Sequence, residues 1–386
     1  MPDIKERVSQ LFKEKFEKEP QEIFSCGGRF EILGNHTDHN HGLCLAATCN
    51  LSITAAVSRR DDNIIHFESV GYSPFEINLD ELDVKEEEKN SSPGLARGIA
   101  FYLKEHGYKY GGFNAISEST IFPGAGVSSS AAFELLVAEI YNYFYNHDRI
   151  EKMVLCKAGQ YAENNYFGKK SGLLDQIGVG YGNIVAIDFK DIEKPVVEQV
   201  KFPFEHLHFV IVNTGGSHAE LSDLYSAIPQ DMYNAAKIMG HNFLREGTLE
   251  ELEEKVHDMS VMEFKRALHF YQENKRVELA LQAIREQDEE TFLSCINESC
   301  ISSTNNLRNM MVGDKREGSP LEACELALKV MEGHGAAKIN GGGFAGSIIC
   351  VVPTDFLETF ITQMGDKYGI DNVKEVFVRK TGPIAE

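Results

Sequence analysis

FPGAGVSSSAA, Phe122–Ala132, is the stretch on which the reading of this chain turns. A Pro-Gly-x-Gly turn runs directly into three serines, and apolar residues then recur at helical spacing from Ala131 and Ala132 through Leu135, Leu136 and Ala138 to Tyr143. The pattern predicts a helix over about 128–145, with serine hydroxyls capping it and unpaired backbone N–H groups pointing outward. Gly124 and Gly126 remove Cβ atoms that would keep another group away from that backbone. Bare amides, hydroxyls and the positive end of a helix dipole make an anion site, and phosphate suits it best. An ordinary glycine loop capping a buried helix has the same local sequence, so the rest of the chain must decide.

A length of 386 residues exceeds one typical core and suggests two domains. The hydrophobic share of 42% and charged share of 25% are those of a soluble globular protein. No apolar run approaches the roughly 18–20 residues of a membrane span. The charged start MPDIKERVSQLFKEKFEKE has no apolar core of a secretory signal. Eight scattered cysteines without a CxxC pair read as free thiols in a reducing cytosol. The 38 basic against 59 acidic residues give a formal charge of −21. No basic footprint is available to displace phosphate counterions, which argues against nucleic acid and mildly against anionic membranes. A phosphorylated ligand must therefore be drawn in by local dipoles and a metal.

Outward from the serine loop, Ile4, Val8, Leu11, Phe12 and Phe16 predict an amphipathic helix over 3–18. Short strands are expected at 23–26, before Gly27-Gly28-Arg29, and at 43–47, 51–57, 64–67, 75–79 and 113–117. A helix at 94–106, a second after the serine loop at 149–166 and strands at 184–188 and 208–213 follow. From Pro229 to about Asn306 the texture is almost wholly helical. The end is mixed, with helices at 321–331 and 354–365 and strands at 336–339, 347–352 and 374–378. Strands and helices without a regular βαβ rhythm argue for an α+β fold. The change of texture near residue 205 suggests an N-terminal lobe over 1–205 and a C-terminal one over 206–386.

Three further constellations could carry chemistry. GRFEILGNHTDHNHG, Gly28–Gly42, crowds Arg29, Asn35, His36, Asp38, His39 and His41 between apolar strands. Its histidines and Asp38 are metal-ligand types, but H-x-D-H-x-H is neither a zinc-finger nor an HExxH spacing. The same donors and acceptors would suit the hydroxyls of a small sugar, or close an ordinary polar turn. Glu163 and Asp175 flank FGKKSGLL and could serve as metal ligand and catalytic base. A P-loop is ruled out there, because Glu163 stands where that motif needs glycine. In NGGGFAG, Asn340–Gly346, the glycines formally satisfy GxGxxG, yet the following Ser347–Val352 is a β-branched run. The dinucleotide-binding context is therefore missing, and a glycine turn between strands is expected.

GRFEILGNHTDHNHG, PGAGVSSSAA and GGGFAG, in this order and with SGLLDQ between the second and third, resemble the galactokinases of the GHMP small-molecule kinase superfamily. The resemblance spans essentially the whole chain. It implies two α+β lobes with ATP and Mg²⁺ at their junction. Pro123, Gly124, Ala125, Gly126, Val127, Ser128, Ser129, Ser130 and Ala131 would wrap the nucleotide phosphates, and Ser130 and Glu163 match the residues that hold Mg²⁺. Asp175 matches the carboxylate beside the anomeric hydroxyl, and Arg29 the arginine facing it across the transferring phosphoryl group. Asn35, His36, Asp38, Gly172 and Tyr225 match sugar-site positions, and Gly341–Gly343 a loop shaping the site.

The implied activity is ATP-dependent phosphorylation of galactose at C1 by a cytoplasmic monomer, with neither nucleic acid nor membrane as partner. Two departures stand out: the usual form has Glu where this chain has Asn35, and Tyr where it has His39. Asn still accepts a hydrogen bond but carries no charge, which could weaken binding or favour a related sugar such as N-acetylgalactosamine or arabinose. A silent ATP and sugar sensor, or a metal hydrolase built on the histidines, are the remaining alternatives.

Overall fold

The structure, a computed structural model, describes residues 3–215 and 221–386. Helix α1 (Ile4–Phe16), capped by Asp3, lays Val8 and Phe12 against Ala56 and Ile116. Beneath it run β1 (Glu22–Leu33) and β2 (Leu43–Arg59), antiparallel from Glu22↔Val57 to Leu33↔Leu45. The sequence suggested a four-residue strand at 23–26 and two strands over 43–57; each is one continuous strand. β1 continues through Gly27-Gly28, with a register shift against β2 there, and a Cβ would collide with the carbonyl oxygens of Cys49 and Val127 respectively. These glycines admit neighbouring backbone to an extended strand rather than turning it. Asn50 interrupts the apolar pattern of β2 but not the strand: it is exposed, and its Oδ1 accepts from the Phe377 N–H at 2.7 Å.

Strands β3 (Ile64–Ser69) and β4 (Phe75–Asn78), helix α2 (Ser92–Glu105) and β5 (Phe113–Ser119) follow. β5 pairs antiparallel with β2 and parallel with β3. α3 (Ser129–Asn146), α4 (Lys152–Ala162) and α5 (Leu174–Gly180) join α2 over one face of the sheet. The predicted helix to residue 166 stops at Ala162 and gives way to a π-helical turn, Glu163–Phe167, closed by Gly168 at φ 91°. β6 (Ile184–Asp188) pairs with the other end of β2, and β7 (Val196–Val200), not foreseen, pairs with β6.

The second half opens with β8 (Leu207–Asn213). Helices α6 (Ser222–Ile238), α7 (Leu249–Glu254), α8 (Val261–Glu286) and α9 (Glu289–Ser302) account for the helical texture, with Pro229 inside α6 rather than ahead of it. α10 (Pro320–Val330), β9 (Ala336–Asn340), β10 (Ser347–Pro353), α11 (Thr354–Tyr368) and β11 (Val373–Val376) complete an antiparallel sheet of order β11-β8-β10-β9. The last strand, β12 (Ile384–Ala385), returns to the first sheet beside β1, giving the order β12-β1-β2-β5-β3-β4.

Period-two alternation sorts side chains between two cores. Phe209 and Ile211 of β8 and Ile349 and Val351 of β10 meet Phe30 and Ile32 of β1 and Val277 and Ile284 of α8. Their neighbours Val210, Val212, Ile348 and Cys350 face Ala323, Ala327 and Phe360 of α10 and α11 instead. The two sheets thus share a central core, and the fold is α+β, as expected. All eight cysteines are buried and unpaired. Among the described residues no helix is long and apolar enough to cross a membrane.

Candidate active site

The three glycine-bearing motifs converge. Arg29 follows the glycine pair of β1; its Nη2 lies 2.7 Å from Asp175 Oδ1, and its Nη1 donates to the Gly126 carbonyl at 2.7 Å. That loop is also pinned from the C-terminal motif: Asn340 Nδ2 donates to the Gly126 carbonyl at 3.2 Å and Ser347 Oγ to that of Ala125 at 3.0 Å. Gly28 lets this happen, because the Val127 carbonyl packs on its bare Cα and accepts from the Arg29 N–H at 2.9 Å.

The serine loop lines a cavity of about 780 Å³ that contains Pro123, Gly124, Ala125, Gly126, Val127, Ser128, Ser129 and Ser130. Ala131 lies behind them with its side chain in the core, so it can contribute only a backbone N–H. The expectation that the serine hydroxyls cap α3 is corrected. Ser128 is left-handed at φ 54°, makes no capping bond, and donates its Oγ to Asp175 Oδ2 at 2.6 Å. Ser130 Oγ donates to Glu163 Oε1 at 3.3 Å. Two ionisable carboxylates outcompete the helix's own amides for these hydroxyls, since charge-assisted bonds are the stronger ones.

Asp175 sits in the first turn of α5. Burial pushes its pKa up, but Arg29, Lys169 and the Ser128 hydroxyl outweigh that, and the net direction is down. Glu163, 1% exposed within the π-turn, accepts from Lys169 Nζ at 2.9 Å, Ser171 Oγ at 2.5 Å and Gln176 Nε2 at 3.1 Å. Burial disfavours the charge on Lys169, yet Glu163 and Asp175 together raise its pKa.

A second cavity, of about 190 Å³, is lined by Arg29, Glu31, Asn35, His36, Asp38, Gly172 and Asp175. Asp175 is the wall it shares with the first. His36 Nε2 lies 2.9 Å from the Gly342 carbonyl, and burial lowers its pKa. Burial pushes the Asp38 carboxyl up to about 6, with Asp175 and Glu31 adding to the effect. Gly172 touches Asp38 so closely that a Cβ there would collide with Oδ2. Tyr225 stands behind the glycine turn: its ring covers Gly342 and its hydroxyl donates to the Gly343 carbonyl at 2.6 Å. His218, seven residues before Tyr225, lies outside the described residues.

The histidine-metal reading fails. Among the described residues no three His, Cys, Asp or Glu side chains converge to hold a metal. His41 stacks on Phe243 at 3.8 Å, His39 Nδ1 pairs with Asn40, and His36 Nε2 faces the Gly342 carbonyl, so although the His36 and His39 rings lie 5.8 Å apart, these nitrogens are committed to different partners. Sequence reasoning missed Glu31, Lys169 and Ser171. Glu31 alternates with Phe30 on β1, and that period placed it beside Arg29, which was the available signal.

Comparison with known proteins places the chain among sugar and small-molecule kinases in sequence and fold. Residues 10–59 match the galactokinase galactose-binding signature and residues 94–183 the GHMP kinases N terminal domain. The galactokinase of Fusobacterium nucleatum is 29% identical over 382 residues, covering 94% of each chain. That of Exiguobacterium sibiricum is 28% identical over 370 residues, covering 94% of this chain and 92% of its own. The crystal structure of Lactococcus lactis galactokinase complexed with galactose superposes with a TM-score of 0.85 at 26% identity and 99% coverage of both chains. With both models matched in order and one fold shared from end to end, the chain is similar over nearly its whole length to the galactokinases of the GHMP kinases.

Proposed function

We propose that this protein is a galactokinase, transferring the γ-phosphoryl group of ATP to the C1 hydroxyl of galactose. The observation that carries the reading is Asp175, the shared wall of a phosphate-type cavity and a polar, sugar-sized one. The nucleotide phosphates would lie on the amides of residues 123–131, and the sugar among Arg29, His36, Asp38 and Gly172. Phosphoryl transfer asks for alignment and charge neutralisation more than covalent chemistry. Arg29 serves both ends: it keeps Asp175 ionised and brings a fixed positive charge beside the loop. Because its pKa is depressed, Asp175 is a weak base at neutral pH. It therefore orients the sugar hydroxyl from the start and takes the proton late, as the hydroxyl oxygen bonds to phosphorus.

Ser130 and Glu163 offer a hydroxyl and a carboxylate oxygen 3.3 Å apart, a donor set that suits Mg²⁺. Bound there, Mg²⁺ would neutralise phosphate oxygens. Glu163 holds Lys169 and Ser171 at the same carboxylate, so those two side chains keep it in place for the ion. The eight free thiols support a cytoplasmic enzyme, which we take to act as a monomer.

A coupled ADP-release assay over galactose, N-acetylgalactosamine, arabinose and no sugar tests the reading. Galactose should give the highest kcat/KM, and Asp175→Asn should lower kcat by about 10²–10⁴-fold. A second reading, a kinase for a related sugar, rests on the rearranged pocket wall around Asn35, where the usual form has Glu; a galactose value well below the other two would select it. Tight sugar binding with no ADP released would make the protein a sensor.

A further inference from the structure

Asn35 was expected to touch the sugar, yet both of its amide protons and its amide oxygen have partners within the protein. Nδ2 donates to Glu31 Oε1 at 3.0 Å and to the Gly341 carbonyl at 2.7 Å, which uses both of its protons. Oδ1 accepts from Asn309 Nδ2 at 2.9 Å. Its backbone is equally fixed, with the N–H on Glu273 and the carbonyl on His269. Nothing in this side chain is free to donate to a ligand.

Glu31 is the opposite case. It shares the cavity face of β1 with Arg29, while Phe30 and Ile32 point into the central core. Lys338 Nζ, 0% exposed, lies 2.9 Å from Glu31 Oε1 and also bonds the Ile339 carbonyl at 2.7 Å. Lys338 and Asn35 thus both load the same oxygen. Oε2 makes no hydrogen bond among the described residues, and it is not one of the orphaned atoms sealed from solvent, as Glu134 Oε1 and Gln176 Oε1 are. A buried ion pair is costly to assemble, and a carboxylate in such a site has acceptor capacity to fill. An open, charged oxygen on the wall of a polyol cavity answers both points.

We infer that Glu31, not Asn35, is the acidic ligand of the sugar: Oε2 accepts a hydrogen bond from one hydroxyl other than that at C1, Lys338 holds the charge, and Asn35 is a positioning residue. The sugar's identity rests on the galactokinase reading; the role of Glu31 does not. The pocket has therefore kept a carboxylate beside position 35, contributed from four residues upstream.

The test compares kcat/KM for galactose with 2-, 3-, 4- and 6-deoxygalactose, with calorimetric Kd as the readout if turnover is absent. The intact enzyme should reject one deoxy sugar by roughly 10- to 100-fold, the range of a hydrogen bond to a charged group. Glu31→Gln should bring that one ratio to within about threefold and leave the others alone. Asn35→Ala should weaken all the sugars together and keep every ratio, a pattern a direct ligand would not give. Unchanged ratios in Glu31→Gln, or one ratio flattened by Asn35→Ala, overturns the inference; should Glu31→Gln not fold, the second variant decides alone. If another sugar replaces galactose as substrate, the galactokinase reading falls, and the deoxy series of that sugar still tests Glu31.

Discussion

Gly172 has no side chain because Asp38 needs the space. Its backbone is not in the left-handed region, so Gly172→Ala tests volume alone. The new methyl must displace the Asp38 carboxylate, and KM for the sugar should rise about tenfold or more with a smaller change in kcat, in steady-state kinetics. Asp38 should make the proposed sugar site pH-dependent. Burial, then Asp175 and Glu31, raise its pKa to about 6 in the folded protein. A raised pKa means that the folded state binds this proton more tightly than the unfolded one. Its stabilising contribution is complete below the unfolded value near 3.8 and is lost as pH rises through about 6. Function runs the other way, since only the ionised form can accept hydrogen bonds at both oxygens. Sugar KM should therefore increase as pH falls through about 6, and Asp38→Asn should abolish that inflection. A profile that is unchanged in Asp38→Asn assigns the titration elsewhere.

Helix α8 is the element that makes the sugar loop rigid. Glu273 Oε1 accepts from the Gly34 N–H at 3.0 Å, the Asn35 N–H at 3.4 Å and Ser299 Oγ at 2.7 Å, while Oε2 takes Arg276 Nε at 2.7 Å. Burial opposes the charge of Glu273, but Arg276 leads the groups that lower its pKa to about 2. Here the linkage is reversed: the stabilisation is present above the unfolded value near 4.5 and lost as pH falls toward about 2. Glu273→Gln leaves Arg276 buried without its counter-charge, so urea unfolding should show a loss of about 3 kcal/mol. Sugar KM should rise with it, because the loop loses its anchor. None of this was legible in the sequence, whereas other elements were. α3 and the β9–turn–β10 hairpin were read correctly because spacing and glycine content are local signals. Four things escaped: the continuity of β1 through Gly27-Gly28, the π-turn at Glu163, the aim of the Ser128 hydroxyl and the Glu31–Lys338 pair. Three of them depend on a partner far away in the chain, Val127 for Gly28, Asp175 for Ser128 and Lys338 for Glu31, and no local pattern records such a partner.

At the scale of the whole molecule, two sheets from opposite halves of the chain build one site, and the chain's end, β12, closes on the edge of β1 near its beginning. Residues that line one cavity thus come from positions as far apart as Arg29 and Gly342. Over this frame lies a formal charge of −21, while the substrate expected at the serine loop is itself an anion. The far field repels it. Attraction is left to the cleft, where Lys169 and the amino end of α3 line the serine-loop cavity and Arg29 supplies positive charge from the far side of Asp175. Salt screens these two effects unequally, because the Debye length is about 8 Å at physiological ionic strength and contacts near 3 Å lie well inside it. Raising the salt from about 20 to 150 mM should therefore relieve the long-range repulsion first and increase kcat/KM for ATP by roughly two- to threefold. KM for the uncharged sugar should not move under the same change. A steep fall in kcat/KM for ATP with salt would mean that the local positive groups govern encounter as well as binding, and that the cleft overrides the charge of the whole protein.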